Sequence, residues 1–131
     1  MEELKKVGST GDPVIYPGVE ISEFLCFAKV GIGYAFWMKI RYKEPNGIWL
    51  TSSKGESVSL GKTGKYDISA KLDTLPNGSL VQLDIQVKLG SKNVPAEQCF
   101  VYNKDSQVAA KYIASGTTFN AAIKFDSLET K

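Results

Sequence analysis

The chain has 131 residues, of which 43% are hydrophobic and 11% are aromatic. This is the size of one ordinary domain, and it is long enough to bury a hydrophobic core. The net charge of +2 and the charged fraction of 23% give no strong attraction to nucleic acid, which we do not expect as a partner.

Turn-forming residues divide the chain into many short segments. Residues 1–18 contain two Pro and three Gly with little periodicity, and we predict an N-terminal arm there, followed by a single domain over residues 19–131. Within this domain the patterns predict strands at about 22–30, 34–43, 48–53, 56–60, 66–72, 80–89, 97–103, 108–114 and 118–126. No segment shows a convincing helical period.

Two segments alternate clearly between apolar and polar residues. From Leu80 to Leu89 every second residue is apolar, which predicts a strand with one buried face and one face toward water. The same pattern from Thr117 to Asp126 places Phe119, Ile123 and Phe125 on one side. Asn46-Gly47 is a strong hairpin signal between the second and third predicted strands.

Short strands at regular spacing with turns between them predict an all-β fold, an antiparallel immunoglobulin-like or fibronectin-like β-sandwich of seven to nine strands. Cys26, Trp37 and Cys99 partly match the Cys, Trp, Cys pattern of antibody domains, but Glu97 stands where that signature requires Tyr. The two cysteines could form a disulfide or remain reduced, and the lack of an export signal favours the reduced form.

The residues needed for common catalytic and metal chemistry are missing. The chain has no His, which removes the usual general base and a common metal ligand. Gly61-Lys62-Thr63 resembles the end of a phosphate-binding loop, but the spacing to the preceding glycine is wrong by one residue. We therefore expect no enzymatic activity, no cofactor and no metal. The alternative, a carboxylate enzyme, would require a pair such as Asp67 and Asp84 to converge in a cleft.

The strand near residues 34–43 carries the candidate binding residues. If Met38 and Ile40 face the core, the opposite face carries Trp37, Lys39, Arg41 and Lys43, with Trp49 across a tight turn. Exposed indoles can stack on sugars or lie at a membrane interface, and cations can meet sulfate, sialate or lipid phosphate. In the alternative, a bulge at Gly33 turns Trp37 into the core and leaves an ordinary polar face.

The segments 98–107 and 115–125 consist of an aromatic strand, a polar turn and a closing strand. Over this final third the chain resembles the immunoglobulin-like membrane-binding domain of slime-mould calcium-dependent cell-adhesion proteins. The resemblance implies a non-enzymatic adhesion module exported without a signal peptide. The calcium-binding domain of that family has no counterpart in this chain, which puts calcium dependence in doubt.

These observations lead to one principal hypothesis and one alternative. We expect a lectin-like or adhesion-like binding module that recognises a glycan or an anionic membrane surface and acts as a homo-oligomer. The alternative is a self-assembling structural or inclusion-type protein. No apolar run approaches the roughly 20 residues needed to span a bilayer, and the sequence begins without the apolar stretch of a signal peptide. We expect synthesis in the cytoplasm and no transmembrane segment.

Overall fold

The computed structural model describes residues 13–29 and 31–131, which form two β-sheets and one short helix. The strands are β1 (Val14–Ile21), β2 (Glu23–Ala28), β3 (Phe36–Trp37), β4 (Ile40–Lys43), β5 (Trp49–Thr51), β6 (Ser57–Val58), β7 (Thr63–Asp67), β8 (Leu80–Val87), β9 (Asn93–Pro95), β10 (Gln98–Tyr102), β11 (Val108–Ser115) and β12 (Ala122–Thr130). The helix α1 spans Ile68–Lys71. In the described part of the chain no helix is long and apolar enough to cross a membrane.

Strand β8 is the centre of the larger sheet. Strands β3 and β4 pair with it along one side, and β9 and β10 pair with it along the other. The sheet is extended by β6 and β5 beyond β3 and β4, and by β1 beyond β10. The smaller sheet has the order β12, β11, β2, β7. The all-β prediction is therefore confirmed, and the two sheets form a sandwich-like fold.

The sheets are mixed, so the prediction of a strictly antiparallel sandwich is wrong. β1 runs parallel to β10 in the larger sheet, and β2 runs parallel to β11 in the smaller one. The chain changes sheets at Ser22, whose N–H donates to the Val108 carbonyl and whose carbonyl accepts from the Ile68 N–H. Because the chain crosses between the sheets here, β1 lies beside β10 in one sheet and β2 lies beside β11 in the other, each pair running in the same direction.

The core lies between the two sheets. Val81, Leu83, Ile85 and Val87 of β8 are fully buried, as the alternation predicts. They meet aromatic residues from both sheets, among them Phe24, Phe100 and Tyr112. The other face of β8 does not meet water as expected, because Gln82 and Asp84 are also buried. Polar neighbours on this face cover them.

The described residues form twelve strands where seven to nine were predicted, and several predicted boundaries differ from the structure. The predicted arm, residues 1–18, overlaps β1 from Val14 onward, and its first twelve residues lie outside the described part of the chain. Pro17 is tolerated there because β1 is an edge strand, where one lost N–H costs little. The predicted strand 66–72 ends at Asp67 and continues as α1. The last strand begins at Ala122, so Phe119 lies in a turn and is exposed.

Candidate functional site

The predicted binding residues lie together on the side of the larger sheet that faces away from the core. Phe36, Met38 and Ile40 are fully buried, so the residues alternating with them along β3 and β4 point outward. We call this side the outer face, and its members are Trp37, Lys39, Arg41, Lys43, Trp49, Gln82, Asp84 and Gln86. The alternative in which a bulge turns Trp37 into the core is not what the structure shows, since this side chain is half-buried.

Arg41 and Trp49 form a stacked pair at one end of the outer face. The hairpin between β4 and β5 places Trp49 opposite Lys43. Arg41 precedes Lys43 by two residues and lies on the same face of β4. The guanidinium carbon of Arg41 lies 4.9 Å from the centroid of the indole ring. Its Nη1 donates to Oε1 of Gln82 at 2.9 Å, so the guanidinium is held in one orientation. This pair offers a planar cation beside an aromatic surface.

Trp37 lies further along the outer face and has two ammonium groups against its ring. Nζ of Lys54 lies 4.0 Å from the ring centroid, and Nζ of Lys88 lies 5.2 Å from it. Sequence reasoning missed both lysines. Lys88 could have been found, because Gln86 pairs with Trp37 and Lys88 continues the same alternation. Lys54 lies in an irregular segment after β5, and no periodicity indicates its direction.

Lys39 belongs to an internal network and does not present its charge to solvent. Only 7% of the residue is exposed. Its Nζ donates to Oδ1 of Asn93 at 2.7 Å and to Oε1 of Gln86 at 3.5 Å, and it lies 3.9 Å from Oδ2 of Asp84. The structure therefore places Lys39 among polar partners that support the outer face, where the sequence analysis predicted a residue open to ligand.

Asp84 is the buried carboxylate of this network. It is 3% exposed, and its Oδ1 has no hydrogen-bond partner among the described residues. Burial raises the pKa of Asp84 above its usual range, while the positive charges of Lys39 and Arg41 oppose the rise. Asp67, the other carboxylate considered for catalysis, lies in the smaller sheet and accepts a hydrogen bond from Ser69. The two carboxylates belong to different sheets.

Other titratable groups of the core support packing. Burial raises the pKa of the Cys26 thiol to about 12, and Cys99 is fully buried in the larger sheet. Burial also raises the pKa of Tyr112, whose hydroxyl donates to Oε1 of Gln98 at 2.8 Å. Within residues 13–29 and 31–131 no cluster of three or more Cys, Asp or Glu side chains could hold a metal ion.

Comparison with known proteins gives distant similarity to solved structures. No family model and no curated protein matches the chain. Among solved structures, listeriolysin O is similar to it with a TM-score of 0.42 and 12% sequence identity. The similarity covers 80% of this chain and 22% of listeriolysin O, so the chain spans less than a quarter of that protein's length.

Proposed function

We propose that this chain is a non-enzymatic binding module that recognises an anionic surface, either a charged glycan or a membrane, through its outer face. The observation that carries the proposal is that both tryptophans of this face have cationic groups within 4.0 to 5.2 Å of their rings. An indole can contact the apolar side of a sugar or a lipid interface, while the adjacent cations meet sulfate, carboxylate or phosphate. Lys43 lies opposite Trp49 and adds a further cation.

The proposal gives different roles to the five predicted site residues. Trp37, Arg41, Lys43 and Trp49 are half-buried, so each keeps surface available for a ligand. Lys39 acts as a supporting residue, because its ammonium lies beside the buried carboxylate of Asp84 within the outer face. Self-association is part of the proposal, since several weak sites on one oligomer bind a surface far more strongly than one site does.

A binding assay on two platforms tests this proposal. The wild-type protein and the variant Trp37→Ala/Arg41→Ala are applied to a glycan array and to liposomes of anionic phospholipid. The matched control is Lys124→Ala, which removes an exposed cation from the smaller sheet. We expect the double variant to lose at least about tenfold in affinity, because it removes an aromatic anchor and a bidentate cation. The control should bind like wild type, and thermal melting should show that all three proteins are folded at the assay temperature.

The alternative, a self-assembling structural protein, is favoured by a different observation. Val14 and Ile15 are exposed apolar residues on β1, a strand that pairs on one side with β10. Edge strands with exposed apolar residues are prone to pair with other chains. If wild type binds neither platform but sediments as large assemblies that Ile15→Lys disperses, self-assembly is the better explanation. If assemblies form while Trp37 remains accessible to an aqueous quencher, both functions are compatible.

A further inference from the structure

The segments that connect the strands gather at two opposite ends of the fold. β2 and β11 run in parallel, and β6 and β8 run with them, so all four finish at the same end. The described parts of the connections that follow these strands are residues 29 and 31–35, 59–62, 88–92 and 116–121. Backbone hydrogen bonds join the connection after β2 to the other three. They link Gly33 to Gly116, Ala35 to Lys88, and Ala28, the last residue of β2, to Gly61.

Among the described residues, three of these four connections carry a large apolar side chain in water. Leu60 is 51% exposed, Leu89 is 72% exposed and Phe119 is 82% exposed. Single exposed apolar residues are common on soluble proteins, but several at one end of a domain mark an interaction site. The strand patterns had placed Leu89 and Phe119 with the core residues. Strands β8 and β12 stop short of them, so both side chains project from turns.

The same four connections are purely basic. They contain Lys29, Lys62, Lys88 and Lys92 and no Asp or Glu, and we call this end the lysine-rich end. The connections at the opposite end, residues 44–48, 68–79 with α1, and 103–107, contain Glu44, Lys71, Asp73, Lys104 and Asp105. The small net charge of the chain therefore hides a marked difference between the two ends.

We propose that the lysine-rich end docks onto an anionic lipid bilayer, with Leu60, Leu89 and Phe119 entering the interfacial region and the lysines contacting lipid phosphates. Membrane-surface binding of this kind combines buried apolar area with attraction to anionic headgroups. Lysines extend their chains along apolar surface while their ammonium groups stay at the level of the phosphates. The inference rests on the proposed function and narrows its partner to a membrane.

Two further features fit this orientation. An open pocket of about 310 Å³ lies at the lysine-rich end, lined by Lys29, Gly31, Ile32, Ser115, Gly116 and Thr117; it can receive a phosphate-bearing headgroup. In addition, Lys88 lies at this end, and its Nζ is 5.2 Å from the centroid of the Trp37 ring. The outer face therefore adjoins the lysine-rich end at the indole, in the position that tryptophans favour at a membrane interface.

The lysines and the three apolar tips, Leu60, Leu89 and Phe119, together favour a bilayer over a soluble glycan as the partner of the lysine-rich end. A glycan would use the cations but would leave the three apolar tips in water. A bilayer of anionic lipid satisfies both, because its phosphates lie directly above an apolar layer.

The first test measures partition of the protein onto vesicles. Vesicles of phosphatidylcholine and phosphatidylserine in equal parts are compared with vesicles of phosphatidylcholine alone. We expect binding to the anionic vesicles that weakens as salt is raised. Leu89→Ser/Phe119→Ser should lower the partition coefficient at least about tenfold, because two large apolar contacts are lost. The matched control is Ile48→Ser, since Ile48 is 72% exposed like Leu89 but lies at the opposite end.

The lysines are tested in the same assay. Lys62→Gln/Lys92→Gln should weaken binding by about fivefold for each charge removed. Lys71→Gln/Lys104→Gln removes two charges from the opposite end and should change binding by less than about twofold. All these residues are exposed, so thermal melting should show little effect on the fold. Equal losses in both lysine pairs would overturn the proposed orientation.

The second test reports orientation directly and does not depend on affinity. Phe119→Cys and Ile48→Cys each introduce an exposed thiol, while Cys26 and Cys99 are buried and react poorly in the folded protein. An environment-sensitive dye at position 119 should shift to shorter wavelength with anionic vesicles, and the same dye at position 48 should not. A shift at position 48 alone would refute docking through the lysine-rich end.

The outcomes separate this inference from the proposed function. If Trp37→Ala/Arg41→Ala abolishes glycan or vesicle binding and the lysine-rich-end variants bind like wild type, the proposed function holds and the inference fails. If wild type binds charged glycans but no vesicle, the inference fails in the same way. If the lysine-rich-end variants lose vesicle binding and the outer-face variant keeps it, the inference holds and the outer face is not the primary contact.

Discussion

The buried charge of Asp84 depends on Lys39, and replacing Lys39 by Met should destabilise the fold strongly. The ammonium nitrogen lies 3.9 Å from the carboxylate oxygen. At an effective dielectric constant of about 20, two unit charges at this separation attract each other by about 4 kcal/mol. Lys39→Met keeps the aliphatic chain but leaves a carboxylate that is 3% exposed, with Arg41 as the remaining cation that opposes its raised pKa. Breaking a buried pair in this way costs about 3–5 kcal/mol.

The double variant Lys39→Met/Asp84→Leu removes both charges and tests the physical cause. Replacing a whole buried pair by apolar residues is often neutral or stabilising by about 1–4 kcal/mol, so the double variant should be clearly more stable than Lys39→Met alone. Urea denaturation at neutral pH, followed by tryptophan fluorescence, gives the free energy of unfolding for each protein. If the double variant is as unstable as the single one, the loss comes from packing or from the hydrogen bond to Asn93, and the electrostatic argument is refuted.

The pH dependence gives the same prediction a second readout. Burial raises the pKa of Asp84 in the folded state, so the folded state binds this proton more tightly than the unfolded state does. Stability from this group is therefore present at low pH and is lost as pH rises from the unfolded value of about 4 through the raised pKa. Removing Lys39 removes a cation that opposes the rise. The stability difference between wild type and Lys39→Met should therefore shrink as the solution is acidified.

Three further predictions concern the backbone and the core. Gly116→Ala should destabilise the protein by about 2 kcal/mol in thermal or urea unfolding, because the glycine has φ of 91°, a conformation that costs other residues energy; a neutral result would mean that the turn rearranges freely. Gly64→Ala should cost about 1–3 kcal/mol by the same measurement, since the added Cβ would overlap the side chain of Val58, and a smaller cost of Gly64→Ala in a Val58→Ala background than in wild type would confirm the cause. In a Cys99→Ala background, Cys26 should resist iodoacetamide at pH 8 in buffer and react in urea, because burial raises its thiol pKa to about 12; rapid labelling of the folded protein would contradict that burial.

Most of the strands could be predicted from the alternation of apolar and polar residues. A period of two identifies β8 and the direction of its core residues, because neighbouring side chains on a strand point to opposite faces. The same rule placed Trp37 and Arg41 on the side of the sheet away from the core, where the structure has them. The Asn46-Gly47 hairpin was predictable as well, because Asn tolerates a positive φ better than most residues. Asn46 adopts such a φ, of 63°, in the structure.

The extent of each strand was not predictable from alternation. Leu89 and Phe119 continue the apolar pattern of their strands, yet the backbone has left the sheet before it reaches either residue. Periodicity records which side chains could be buried, and only the neighbouring strands decide how far pairing continues. The three exposed tips of the lysine-rich end are therefore a property of the tertiary structure.

Pairing partners distant in sequence also required the tertiary structure. Nothing local to β1 and β2 indicates that they pair in parallel with β10 and β11, because both pairings join residues more than seventy positions apart. The burial of Lys39 has the same origin, since Asp84 and Asn93 reach it from β8 and β9. The class of fold and the direction of the strand side chains could thus be predicted from the sequence, because both depend on neighbours along the chain. Which charges are paired and which apolar residues stay in water depends on contacts between distant segments, so neither could be predicted without the folded structure.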